Sequence, residues 1–93
     1  MLTHERISET ITKVQKDFSL RKVDYFGSYA EGNATENSDL DLLVEFKEPV
    51  VSILKVIGLK QYLEDELNIP VDVIHAPIPP SAIIEIGKLV SVI

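Results

Sequence analysis

There is no cysteine anywhere in the 93 residues. That absence removes disulfides, thiolate zinc sites and a cysteine nucleophile together, and it accords with a reducing compartment. Basic residues are scarce: 9 Lys and Arg stand against 15 Asp and Glu, a formal net charge of −6. Affinity for a phosphate backbone comes from Lys and Arg. Direct nucleic-acid binding is therefore not expected, nor is binding to an anionic membrane surface. No apolar run approaches the roughly 18 residues of a membrane span. The opening Met1-Leu2-Thr3-His4-Glu5-Arg6 lacks the charged-then-apolar pattern of a signal peptide. A cytoplasmic location is the expectation. No repeat, low-complexity tract or linker divides the chain, so a single domain over 1–93 is expected.

What is present reads as a folded α/β chain. Apolar residues make up 45% and charged residues 26%, near the globular average. Ile7, Ile11, Val14 and Phe18 recur in steps of four, three and four, the stripe of an amphipathic helix capped by Thr3. Arg21 to Phe26 suits a strand punctuated by Gly27-Ser28, with room for one helical turn at Ser28 to Glu31. Leu40 to Phe46 reads as a second, mostly buried strand. A second helix is expected from about Val51 to Leu67, with Ile53, Val56, Ile57, Leu63 and Leu67 as its apolar stripe. Pro70 to His75 is a third strand, its proline at the first position where a missing N–H is tolerated. A short helix from about Pro80 to Gly87 follows. The tail from Leu89 to Ile93 is apolar and strand-like, and either covers the core or meets a partner. The order α-β-β-α-β-α implies a small mixed β-sheet with helices packed on it.

The chemistry lies in Gly27-Ser28 and, ten residues on, Asp39-Leu40-Asp41. Residues i and i+2 of a strand share a face. Two carboxylates so placed repel unless a cation or proton lies between them. Magnesium is the natural cation, since it takes hard oxygen ligands and prefers one or two carboxylates plus phosphate oxygens and waters. A strand ending in Gly-Ser and entering a helical turn offers free backbone N–H groups to phosphates. Asp72, acidic in mid-strand between Val71 and Val73, is the candidate third carboxylate of a two-metal arrangement. It converges with the others if its strand lies beside that of Asp41.

The run Phe26-Gly27-Ser28-Tyr29-Ala30-Glu31-Gly32, with Ser38-Asp39-Leu40-Asp41-Leu42-Leu43-Val44, closely resembles the signature of the minimal nucleotidyltransferases. These are small members of the DNA polymerase β-like nucleotidyltransferase superfamily. The later Pro70-Val71-Asp72-Val73-Ile74 is similar to their third-carboxylate strand. The resemblance implies a polymerase β-like core and a magnesium-dependent transfer of AMP from ATP. It further implies, as partner, a HEPN-domain toxin, which the chain would silence as an antitoxin by modifying a tyrosine. On that resemblance Gly27, Ser28 and Tyr29 would meet the nucleotide, and Asp39, Asp41 and Asp72 would bind one or two magnesium ions.

Glu31 departs from the pattern, because many relatives carry Arg there. Its side chain either faces solvent or turns inward, where it would repel phosphate. Two other readings stand beside the enzyme: an antitoxin that neutralises its partner by complex formation over a vestigial site, and a transferase acting on a small molecule. The small core leaves room for a homo-oligomer.

Overall fold

Why these residues form these elements is visible in a computed structural model, which describes residues 1–78, 81 and 86–93. The first helix, α1, spans His4–Val14, and the Thr3 hydroxyl caps it by accepting the Arg6 N–H at 3.1 Å. Ile7, Ile11 and Val14 are buried as the spacing predicts, and Phe18 packs beside them. Strand β1 is Leu20–Phe26, a single helical turn α2 is Ser28–Glu31, and β2 is Leu40–Phe46. Helix α3 runs over Ile53–Leu67, β3 over Val71–His75 and β4 over Val90–Ser91. The helix expected from about Pro80 to Gly87 falls mostly on residues outside those described.

The four strands form one sheet in the order β3-β2-β1-β4. β1 is antiparallel to β2 and β4, while β3 is parallel to β2. A parallel neighbour needs a crossover, and α3 supplies it. Along β2 the burial alternates strictly, with Leu40, Leu42, Val44 and Phe46 buried and Asp41, Leu43 and Glu45 turned to the other face. The buried set meets Val23 and Tyr25 of β1, Val71 of β3, and the apolar sides of α1 and α3. Helices α1 and α3 thus pack on one face of the sheet, and Asp41 lies on the other. The apolar tail covers the core in part: Val90 pairs with Tyr25, and Val90, Val92 and Ile93 pack against the buried cluster.

The expected stripe of α3 needs correction. The core takes Leu59, Leu63 and Leu67, with Val56 half-buried. Ile53 is 74% exposed and Ile57 47%. Val50 and Leu54 beside Ile53 are exposed as well, so the first turn of the helix adds nothing to the core. Ile57 lies one turn before Gln61 and two before Glu64, on the polar side of the helix. Ser52 caps the helix by accepting the Lys55 N–H. Asn68 ends it in the left-handed region at φ 57°.

Candidate active site

One rung of the sheet assembles the site. Phe26 of β1 is the register partner of Asp41, and Asp41 is the register partner of Asp72. The parallel pairing of β3 with β2 therefore sets two carboxylates side by side on the open face, as the sequence argument required. Burial pushes the Asp41 carboxyl above its usual range, the neighbouring Asp72 pushes it further, and the charge of Asp39 adds to this. Asp39 itself is exposed and lies one residue ahead of β2.

Gly27 closes the other side. Its φ is +72° and its ψ −149°, a conformation essentially reserved for glycine. A Cβ there would also run into Asp41 Oδ2. The chain can reverse into α2 directly over the carboxylate only because no side chain intervenes. Within α2 the N–H groups of Ala30 and Glu31 bond to the Gly27 carbonyl. Those of Ser28 and Tyr29 open the turn with no acceptor inside it, and Gly27 offers no capping side chain. Ser28 is half-buried at this opening, and the Tyr29 ring, also half-buried, packs against the core cluster.

The loop between α2 and β2 is held by its own side chains. Thr35 N–H donates to Ser38 Oγ at 2.8 Å, and Asn37 N–H to Thr35 Oγ1 at 3.3 Å. This turn ends immediately before Asp39, and the Thr-x-x-Ser spacing was its overlooked signal in the sequence. Glu31 takes the solvent-facing placement of the two expected for it, and there it accepts the Lys88 N–H at 3.2 Å and ties the C-terminal segment to α2. Arg21 is paired with Glu45, and Lys22 with Asp24.

Among the described residues, no three carboxylates or imidazoles gather closely enough to hold a metal alone. The fold brings Asp41 and Asp72 together and leaves Asp39 beside the pair. A magnesium ion fits this donor set, since it keeps several waters and takes substrate phosphates beside one or two carboxylates. Burial first and then the charges of Asp72 and Asp39 disfavour an ionised Asp41, and such an ion would offset the second of these.

Comparison with known proteins gives concordant results. The nucleotidyltransferase domain model matches residues 7–93. The protein adenylyltransferase MntA of Thermococcus cleftensis is 44% identical over 78 residues, 80% of this chain and 78% of that relative. A solved structure assigned as a minimal nucleotidyltransferase is 31% identical, with a TM-score of 0.73 over 91% of this chain and 90% of that one. Two toxin–antitoxin structures share the fold at lower identity. One, with AMP-PNP, gives a TM-score of 0.76 at 22% identity over 98% of this chain and 73% of that one. The other is a tri-AMPylated HEPN toxin of Shewanella oneidensis in complex with its MNT antitoxin, at 0.71 and 18% over 97% and 71%.

Proposed function

Because the chain belongs to the nucleotidyltransferase domain family, we propose that it transfers AMP from ATP to a tyrosine hydroxyl of a HEPN-type partner protein and acts as the antitoxin of that partner. The carrying observation is the single rung that sets Asp41 against Asp72, beneath a glycine whose missing side chain leaves room for the Asp41 carboxylate. Support for the acceptor comes from relatives, one named as a protein adenylyltransferase and one solved against an AMPylated HEPN toxin.

Each residue has a task that its placement suits. The free N–H groups at Ser28 and Tyr29, with the Ser28 hydroxyl, receive phosphate oxygens. Asp41 and Asp72, assisted by Asp39, would hold one or two magnesium ions, which when bound would supply charge neutralisation at the phosphates and acidify the acceptor hydroxyl. The acceptor oxygen forms a bond to the α-phosphorus. The bond from that phosphorus to the leaving pyrophosphate breaks, and pyrophosphate departs with the electron pair. Asp72, the more exposed carboxylate of the pair, takes the hydroxyl proton or passes it to solvent. Catalysis of this kind is mostly positioning and charge neutralisation, which a small sheet with one loaded edge can supply.

The vestigial-site reading drew on Glu31 as a charge that would repel phosphate. Its carboxylate is engaged by the Lys88 N–H, which leaves that reading with less support. The deciding experiment incubates the chain with labelled ATP, magnesium and a HEPN-type partner. Label is expected on a partner tyrosine, and none with the double variant Asp39→Asn/Asp41→Asn. If wild type and variant protect cells equally and neither labels the partner, neutralisation by binding replaces transfer.

A further inference from the structure

The open face of the sheet holds more than carboxylates. Beside them lies a cavity of about 170 Å3 lined by Lys22, Asp24, Leu43, Glu45, Ala76 and Leu89. Its floor is the sheet itself, where Asp24 of β1 is paired with Leu43 of β2. Leu43 lies two residues from Asp41 on the same face, so the cavity begins about 7 Å from the carboxylate pair. Leu89 forms another wall. One step beyond the Tyr25–Val90 pairing, the antiparallel register brings it level with Phe26, the partner of Asp41. The cavity therefore runs along the sheet towards the site.

Its size and lining restrict what it can hold. Pockets for whole small molecules run to roughly 300–1,000 Å3, so this one suits a single ring rather than a nucleoside triphosphate. Leu43, Ala76 and Leu89 make apolar walls. Lys22, Asp24 and Glu45 are the charged members of the lining, and of these Asp24 is a carboxylate only 5% exposed. Its ion-pair partner among the described residues is Lys22, at 3.5 Å, and no hydrogen bond to its carboxylate is found among them. The Lys22 ammonium is the donor that faces it among the described residues, and a carboxylate accepts more than one hydrogen bond.

We propose that this cavity seats the ring of the acceptor tyrosine, with its hydroxyl directed at Asp41 and Asp72, while Asp24 accepts a hydrogen bond from an N–H of the acceptor segment. A phenol matches the lining because its body is apolar and its tip polar. The inference rests on the adenylyl-transfer reading, and the bonds made and broken are those given above. Lys22 and Glu45 at the rim face the polypeptide that carries the tyrosine.

The test uses p-cresol, the tyrosine side chain alone, titrated into methyl-labelled protein and followed by NMR. Shifts are expected at Leu43 and Leu89 and not at core Leu63. Ala76→Leu, which fills the cavity away from the carboxylates, should abolish them. No shifts at tens of millimolar, or displacement of p-cresol by adenosine, would overturn the assignment. In transfer assays with the partner protein, Ala76→Leu should raise the acceptor KM tenfold or more and leave the KM for ATP within twofold. Asp24→Asn should raise the acceptor KM while p-cresol still binds, a split that a merely structural role would not give. Transfer by Ala76→Leu at the wild-type acceptor KM would overturn the cavity and leave the enzyme reading standing. p-Cresol binding to a chain that transfers no AMP would sink the enzyme reading and leave the cavity as a seat for an aromatic side chain.

Discussion

Gly27 carries two constraints at once: a backbone conformation closed to other residues, and a carboxylate oxygen where its side chain would be. Gly27→Ala should therefore cost about 1–3 kcal/mol from the conformation alone, with displacement of Asp41 in addition. Thermal unfolding measures the first effect and loss of AMP transfer the second. Asp41 makes the opposite kind of prediction. The folded chain holds its proton more tightly than the unfolded chain, because of burial and then Asp72. The stability this gives is present at low pH and is lost as pH rises through the folded pKa. At neutral pH Asp41→Asn should thus unfold at a higher temperature than wild type, while transferring no AMP. A Tm equal to or below that of wild type at neutral pH would contradict the crowded-carboxylate picture. The residues of this rung were legible in the sequence because transfer chemistry restricts their types and spacing. Asp24 was not. A charged residue on the same strand face as Lys22 reads as solvent-facing, and only the paired strands reveal that it is enclosed.

The elements differ in how plainly their sequences declare them. Strand β2 alternates apolar and polar except at Leu43, and the run of Leu, Val and Phe marks its bounds while Asp41 and Glu45 mark its second face. Helix α3 has apolar residues on more than one side, so periodicity identifies the helix without choosing its buried face. That choice is made by where the sheet ends. Leu63→Ala should cost about 2–5 kcal/mol by cavity formation, whereas Ile57→Ala should stay within about 0.5 kcal/mol. Urea unfolding of the two variants checks the corrected face. A second element-level link joins α3 to the strand that follows. Glu64 accepts a hydrogen bond from Lys60 at 2.8 Å and another from the Val71 N–H at 3.0 Å. Those two bonds, Lys60 first, hold its carboxyl below the usual value of 4.5. The stability they give is present above the unfolded pKa and is lost as pH falls through the folded one. Glu64→Gln should lower the neutral-pH Tm and flatten its decline in acid. Its pH slope is opposite in sign to that of Asp41, so the two variants separate the contributions.

On the scale of the molecule, the net charge of −6 is distributed unevenly, and a share of it stands on one rung of an otherwise apolar sheet. A ligand that binds only the folded form stabilises it by mass action, by about 2.7 kcal/mol at a hundredfold excess over Kd. Magnesium should accordingly raise the Tm of wild type, EDTA should reverse the rise, and Asp41→Asn should show little of it. Equal shifts in both proteins would mean that the ion acts on diffuse surface charge. The sheet order could not be read from the sequence, because the two-residue β4 has too little length to signal its pairing with β1.

The order of strands has a consequence for how the molecule comes into being. β1 and β2 follow one another and pair across the loop that contains Asp39, a contact local in sequence. β3 reaches β2 only after the whole of α3 has crossed the core, and β4 arrives from the far end of the chain. Local pairings form at lower entropic cost than distant ones. A nascent chain that has made only its first hairpin thus holds Gly27, Ser28 and Asp41 but not Asp72. On the proposed reading of Asp72, the parallel rung would then be a completion check: a chain without its α3 crossover would lack one of the two paired carboxylates.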